Sequence, residues 1–335
     1  VSDPRVSFFS FIGSSRVGWM LKSKLAPGTR CALEHGGVAP VIVSADADLD
    51  DVVERVAKGG FYHAGQVCVS VQRIFCDSQI VDVFSKKLAE AANKLKVGDP
   101  TKPNTEVGPL ISAKECQRVS DWVEEAVDGG ATLEAGGKKI SETCYEPTVL
   151  VGADKKAKIS TSEVFGPVVS IYAYHDIDEA IEEANSLPVS FQAAVFTKNL
   201  DVAMHCYQNL DATAVMVNEH TAFRVDWMPF AGARTSGHGV GGIPHTIHEM
   251  QTEKMMVCFF CMALTEFSRV TTLSLIRLDE LLTRIAALLT TSAVSSRLVA
   301  TLSVFGKLGL GRLLAFTTSS ADKVRSSVNS SNSAY

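Results

Sequence analysis

The 335-residue sequence contains no run of about 18 consecutive apolar residues, so no membrane-spanning helix is expected. Its longest apolar stretch, Met255 to Leu264, is better read as a strand or buried segment. No signal peptide is expected, because the chain opens at Val1 and passes within a few residues into an apolar, strand-like run. That opening points to a fragment. An excess of basic charge is also missing: 32 Lys and Arg face 37 Asp and Glu, a formal charge of −5. This excludes a general nucleic-acid-binding surface. The eight cysteines lack the dense, regular spacing of a disulfide scaffold and read as reduced thiols in the cytoplasm.

Proline is absent from residues 258–335, although the chain holds 11 prolines. The same 78 residues include 22 Ser or Thr. Residues 1–257 carry 24 Lys and Arg against 33 Asp and Glu, a balance of −9; residues 258–335 carry 8 against 4, a balance of +4. Two kinds of sequence therefore meet near residue 257. The whole chain is 46% hydrophobic and 21% charged, which suits a globular protein and excludes wholesale disorder.

The first part alternates strand and helix signals. Val6 to Ile12, Pro40 to Val43, Val69 to Phe75, Val168 to Tyr172, Ala193 to Phe196 and Ala214 to Val217 read as strands. Helical spacing follows Asp48, a candidate N-cap, with Leu49, Val52, Val53 and Val56 on one face. Ile80, Phe84, Leu88 and Leu95 mark a second helix. Val119, Trp122, Val123, Ala126 and Val127, closed by Gly129-Gly130, mark a third. Ile177, Ala180, Ile181 and Ala184 form another stripe. This alternation predicts an α/β fold with a mainly parallel sheet. Leu273 to Leu289 carries a helical stripe in the tail.

Three local patterns carry chemistry. Cys68 in Gly65-Gln66-Val67-Cys68 stands in a glycine-containing turn before a strand, where a thiol can act as a nucleophile. Taken alone, a buried structural cysteine is the more frequent case. Glu34 in Leu33-Glu34-His35-Gly36-Gly37 can reach a cleft as a general base, or remain a solvated loop carboxylate. Gly13-Ser14, between a strand and a helix, offers backbone N–H groups to a phosphate, or forms an ordinary turn.

Other patterns are set aside. Gly237-His238-Gly239-Val240-Gly241-Gly242 fits G-x-G-x-x-G, but no strand is expected before it and Pro244 stands where a helix should run. Cys258-Phe259-Phe260-Cys261 lacks a second ligand pair, and His245 and His248 lack an acidic partner, so no metal site is expected.

The combination is far more specific than its parts. Glu34-x-Gly36-Gly37 precedes Cys68 by 34 residues. Glu163-Val164-Phe165-Gly166-Pro167, Val217-Asn218, Pro229-Phe230-x-Gly232 and Ser236-Gly237-x-Gly239 follow in order. Here the sequence resembles the aldehyde dehydrogenase superfamily, from about residue 5 to about residue 257.

The resemblance implies that Cys68 is the nucleophile and Glu34 the base that activates water, as in the hydrolytic, non-acylating branch. Glu163 and Phe165 would meet the nicotinamide end of NAD or NADP, and Gly13 and Ser14 the adenosine diphosphate. Asn218, Arg224 and Phe230 would shape the substrate entrance. Arg224 pointing inward would suit an aldehyde with a distal carboxylate, phosphonate or sulfonate, whereas a salt bridge to Asp226 would be a purely local role.

The sequence departs from the family at Ile12, His63, Ser190 and Arg234, where Thr, Asn, Gly and Lys are usual. The implied layout is residues 1–34 as the end of a Rossmann-like cofactor domain, 35–235 as the catalytic domain and 236–257 as a return segment to the cofactor and oligomerisation region. Residues 258–335 form an atypical tail, poorly ordered or partly helical. A small-molecule aldehyde is the expected partner, with no nucleic acid and no membrane, and the full-length enzyme is expected to be a homo-oligomer. The alternatives are an inactive fragment with a structural or interaction role and a cofactor-free thiol esterase.

Overall fold

A computed structural model describes residues 1–257. The tail stripe Leu273 to Leu289 and the Cys258–Cys261 pair lie outside the described residues. All elements belong to the unit Val1–Lys254. In chain order they open with β1 (Phe8–Ile12), α1 (Ser15–Lys22), β2 (Arg30–Glu34), β3 (Pro40–Val43) and α2 (Leu49–Phe61). Next come β4 (Arg73–Asp77), α3 (Val81–Lys94), α4 (Ala113–Asp128), β5 (Thr132–Ala135), β6 (Thr148–Val151) and α5 (Lys158–Thr161). Then follow β7 (Val168–Tyr174), α6 (Ile177–Asn185), β8 (Val189–Ser190), β9 (Gln192–Phe196), α7 (Leu200–Asn209) and β10 (Ala214–Val217). The series closes with β11 (Ala233–Arg234), β12 (Gly237–His238) and α8 (Ile243–Met250).

Seven strands form the main sheet in the order β10-β9-β3-β4-β7-β6-β5. Every neighbouring pair is parallel except β5–β6. The expected α/β fold with a mainly parallel sheet is therefore present. Its central strands are continuous apolar runs because helices cover both faces. All five residues of β9 are buried, as are Val41, Ile42 and Val43 of β3. On α3, Phe84, Leu88 and Ala92 repeat every fourth residue and bury one face, and on α4 Val119, Val123 and Ala126, spaced four and three apart, bury another.

A second, three-stranded sheet has the order β1-β2-β12, with β1 parallel and β12 antiparallel to β2. Asp48 stands at the N-cap of α2 but makes no side-chain capping bond. The expected strand Val69 to Phe75 is corrected to β4, which begins at Arg73. Residues 69–72 are diverted instead into a turn, where the Ser70 N–H reaches the Val67 carbonyl at 2.9 Å and the Val71 N–H reaches that of Gly59 at 3.1 Å. Pro244 is also corrected. It lies in the first turn of α8, where a missing N–H costs nothing. Gly237-His238 is itself β12 and borders β2 at Glu34 and Leu33.

Arg73 is an unusual core residue, only 2% exposed. Its guanidinium donates to the Glu183 carbonyl at 3.1 Å and the Ala184 carbonyl at 2.9 Å, closing the last turn of α6. Burial lowers its pKa to about 10, so it remains charged at neutral pH. Arg73→Ala is expected to cost about 2–4 kcal/mol, since it leaves those carbonyls without donors and opens a void. Urea denaturation checks this, and a loss below about 0.5 kcal/mol contradicts it.

Candidate active site

The site follows from sheet order. β3, β4 and β7 are adjacent and parallel, so the segments that lead into them arrive at one end of the sheet. The segment into β3 carries Glu34, the segment into β4 carries Cys68 and the segment into β7 carries Glu163. Residues up to 129 positions apart in sequence are thus brought together.

Cys68 lies in the turn Val67–Ser70, after a short 3-10 stretch, Tyr62–Gly65, in which His63 and Ala64 hold left-handed backbone angles. Gly65, with φ of 68°, packs on the Gly166 carbonyl, where a side chain would collide. The turn is tied down on every side. Gln66 donates to the His63 carbonyl at 3.1 Å and the Pro109 carbonyl at 3.2 Å, and accepts from the Ile111 N–H at 2.9 Å. The Ser70 hydroxyl donates to the Gly59 carbonyl at 3.1 Å, and the Thr221 hydroxyl to the Val69 carbonyl at 2.7 Å.

Cys68 is half-buried, whereas Cys31, Cys76, Cys116, Cys144 and Cys206 are buried; all six are free. Burial pushes the Cys68 thiol up to about 11, reinforced by the negative charges of Glu163 and Glu34. Its own backbone N–H and Arg224 pull the other way. The resting group is therefore a thiol that needs a nearby base.

Glu34 ends β2. Its carbonyl accepts from the Gly13 N–H at 3.1 Å, and its carboxylate lies against Gly241. Burial raises its pKa and Arg224 opposes the shift. The next residue, His35, is bonded through Nδ1 to the Gly13 carbonyl at 3.0 Å. The peptide units on either side of Gly13 are thus held by Glu34 and His35. Ser14 stands at the N-cap of α1 without a side-chain bond to the helix.

Glu163 is driven up to about 7, chiefly by burial, with Arg118 opposing. Its Oε1 is buried and has no hydrogen-bond partner. The carboxylate presses on Gly36, where any side chain would overlap it. Phe165 has φ of 48° and is 41% exposed. Three of the five non-glycine residues with positive φ among the described residues, namely His63, Ala64 and Phe165, belong to these segments.

The three residues expected at the substrate entrance separate into two kinds. The Asn218 side chain is taken up by Thr197, donating to its carbonyl and accepting from its N–H, each at 3.0 Å. Although exposed, Asn218 thereby ties the end of β10 to the residue after β9. Phe230 is buried and packs on Phe191 with ring centroids 4.7 Å apart. The Arg224 guanidinium carbon lies 4.1 Å from the Phe230 ring centroid. Among the described residues Arg224 stacks on Phe230 and forms no ion pair with Asp226, and its charge is felt at both Cys68 and Glu34. Gln66, Gln72, Thr221 and Arg118 hold the site segments through backbone groups and carry no motif of their own in the sequence. The available signal was a polar Gln72-Arg73 pair inside an apolar run. No group of His, Cys, Asp or Glu among the described residues could hold a metal ion, and none of their helices is long and apolar enough to cross a membrane.

A half-buried thiol, a carboxylate with a raised pKa and an unpartnered buried carboxylate thus meet at one end of the sheet. Residues 1–256 match the model of the aldehyde dehydrogenase family, and the chain belongs to that family. It is similar to the 3-sulfolactaldehyde dehydrogenase of Priestia aryabhattai, 41% identical over 252 residues, which are 75% of this chain and 52% of that protein. It is similar in structure to the glyceraldehyde-3-phosphate dehydrogenase GapN of Methanocaldococcus jannaschii complexed with NADP. There the TM-score is 0.72 and the identity 38%, covering 75% of this chain and 54% of the other. Aldehyde dehydrogenase 21 of Physcomitrella patens, complexed with the reaction product succinate, gives a TM-score of 0.71 and 35% identity. That match covers 74% of this chain and 51% of the other. The chain thus spans about half the length of the relatives it matches.

Proposed function

We propose that this chain supplies the catalytic residues of an NAD(P)-dependent, hydrolytic aldehyde dehydrogenase that converts an aldehyde to a carboxylic acid through Cys68. The convergence of Cys68, Glu34 and Glu163 at one end of the sheet carries this reading. Cys68 Sγ attacks the carbonyl carbon as its proton passes to Glu34, whose raised pKa makes it a competent acceptor. The backbone N–H of Cys68 stabilises the oxyanion of the resulting thiohemiacetal.

The residues present fit the nicotinamide cofactor. The bare Oε1 of Glu163 calls for hydroxyl donors such as those of a ribose, the exposed Phe165 ring offers a stacking surface, and Ser14 at the N-cap of α1 offers its backbone N–H, whereas the Gly13 N–H is already committed to the Glu34 carbonyl. When bound, NAD(P)+ supplies the hydride acceptor. Cys68 is then left as a thioester. Once Glu34 has released the Cys68 proton to solvent, it takes a proton from water as the water oxygen attacks the thioester carbon, the Cys68 sulfur leaves as the thiolate and regains a proton, and the acid is released.

Arg224 sets the substrate class. Stacked on Phe230, unpaired with Asp226 and close enough to influence Cys68, it suits an aldehyde bearing a distal anion. The relatives' sulfolactaldehyde, glyceraldehyde-3-phosphate and succinate support this reading. Arg224→Ala is expected to lower kcat/KM about 10- to 100-fold for an aldehyde with a distal carboxylate or sulfonate, and to leave propanal nearly unchanged. Equal effects on both would sink the assignment. The free cysteines support a reducing, cytoplasmic setting.

Aldehyde-dependent reduction of NAD+ or NADP+ by this chain is the direct assay. Ester cleavage without nicotinamide reduction would replace the proposal with a cofactor-free thiol esterase. Absence of both would leave a structural or interaction role.

A further inference from the structure

Two glutamines flank the nucleophile, Gln66 before it and Gln72 after it. Gln72 is 5% exposed, and its amide makes three bonds to one distant segment. Nε2 donates to the Ile159 carbonyl at 3.0 Å and the Ser162 carbonyl at 2.8 Å, and Oε1 accepts from the Val164 N–H at 2.9 Å. The amide orientation is forced, since two carbonyls require the NH2 end and one N–H requires the oxygen.

The Ser162 carbonyl and the Val164 N–H belong to the peptide units on either side of Glu163. Holding both units fixes the two backbone dihedrals of that one residue. Arg118 adds a third grip, donating from Nη2 to the Val164 carbonyl at 2.7 Å while its Nε bonds Glu115 at 2.7 Å. The turn that follows Cys68 therefore fixes the backbone from which the Glu163 carboxylate projects.

We propose that Gln72 is a positioning residue that locks Glu163 toward Cys68 and the cofactor-facing side of the site, linking the nucleophile segment to the ribose-binding carboxylate. The functional meaning rests on the reading of Glu163 given above, but the geometry can be tested without aldehyde or cofactor. Glu163 has no protein partner at Oε1, so its direction is set from the backbone and not by a side-chain bond of its own. That leaves Oε1 free for a ligand while the carboxylate stays in place.

The readout is the pH profile of Cys68 alkylation by iodoacetamide, followed by peptide mass spectrometry on this chain. The ionisable groups facing Cys68 are Glu163, Glu34, Arg224 and Tyr62. Glu163 titrates near 7, so it is ionised throughout the alkaline range in which Cys68 loses its proton, and it repels the thiolate. Glu163→Gln is therefore expected to move the alkylation midpoint down. Gln72→Met, similar in volume but unable to hold the two peptide units, is expected to move it in the same direction. Alkylation on the low-pH side should accelerate about threefold or more. The double variant should match Glu163→Gln alone.

A Gln72→Met midpoint equal to that of the unaltered chain would overturn the proposal even if the melting temperature falls, because a purely structural residue lowers stability without moving the midpoint. Additive shifts in the double variant would also overturn it. If Gln72→Met fails to fold, Gln72→Asn, which keeps an amide too short to reach both peptide units, gives the same readout. Failure of both to fold would make Gln72 a core residue alone. A chain that shows these shifts yet reduces no nicotinamide would overturn the dehydrogenase reading and leave the role of Gln72 standing.

Discussion

Cys68→Ala should reduce aldehyde oxidation at least about 10⁴-fold and abolish acylation of the chain by an activated ester. The size of the effect follows from the absence of a substitute. Among the described cysteines, Cys68 is the one that is not buried, and Cys76 and Cys206 are driven far toward the thiol form by the core around them. Cys68→Ser should be almost as damaging, because a hydroxyl is harder to deprotonate than a thiol and a weaker nucleophile. The pH dependence has a definite sign. With the Cys68 thiol pushed up to about 11, intrinsic alkylation rises roughly tenfold per pH unit through the neutral and mildly alkaline range and levels off only near that value. An alkylation rate that levels off near pH 7 would contradict the electrostatic picture of two carboxylates facing the sulfur.

Glu34→Gln should separate acylation from hydrolysis. Glutamine fills the same space beside Gly241, so the site keeps its shape while losing the proton acceptor for water. Deacylation is expected to fall about 10²–10⁴-fold. Acylation by an already activated ester should fall less than deacylation, because hydroxide at mildly alkaline pH can remove the Cys68 proton in place of Glu34 and the activated leaving group needs no acid. Time courses with p-nitrophenyl acetate should therefore show one rapid turnover followed by a near stop. A variant that keeps steady hydrolysis would remove Glu34 from its assigned role. A variant that also fails to acylate would make Glu34 the base for the first step alone.

Much of the fold was legible because the relevant forces are local. Pro40 to Val43 and Ala214 to Val217 are apolar β-branched runs bounded by breakers, and both strands have the expected limits. The stripe of Val119, Val123 and Ala126 on α4 is set by helical period. The start of β4 was not legible. Val69 and Val71 alternate as a strand would, but their backbone is claimed by Thr221 and Gly59, which lie 152 and 12 residues away. Pro244 misled for a related reason: a proline breaks a helix interior but suits a first turn, and the start of α8 at Ile243 is fixed by the fold.

Within the site, Cys68, Glu34 and Glu163 stood out because their flanking glycines form motifs. The glycines have physical jobs at Gly36 and Gly65, where side chains would strike Glu163 and the Gly166 carbonyl. The clamps at Gln66, Gln72 and Thr221 did not stand out. Their partners are backbone groups, which any sequence supplies, so nothing in the partner segments marks the contact. For Arg224, a salt bridge to Asp226 was the sequence-level alternative, two residues away. The backbone path instead stacks its guanidinium on Phe230, six residues ahead.

The most direct test of the central claim, that Cys68 and Glu34 perform the two halves of one acyl transfer, is peptide mass spectrometry on the Glu34→Gln chain after brief exposure to p-nitrophenyl acetate. The account predicts one acetyl group per chain, held on the peptide containing Cys68, persisting long after the same label has left the unaltered chain, and absent when Cys68 is alanine. Acetyl spread over several cysteines, or a label on Cys68 lost equally fast with Glu34 and with Gln at that position, would contradict it.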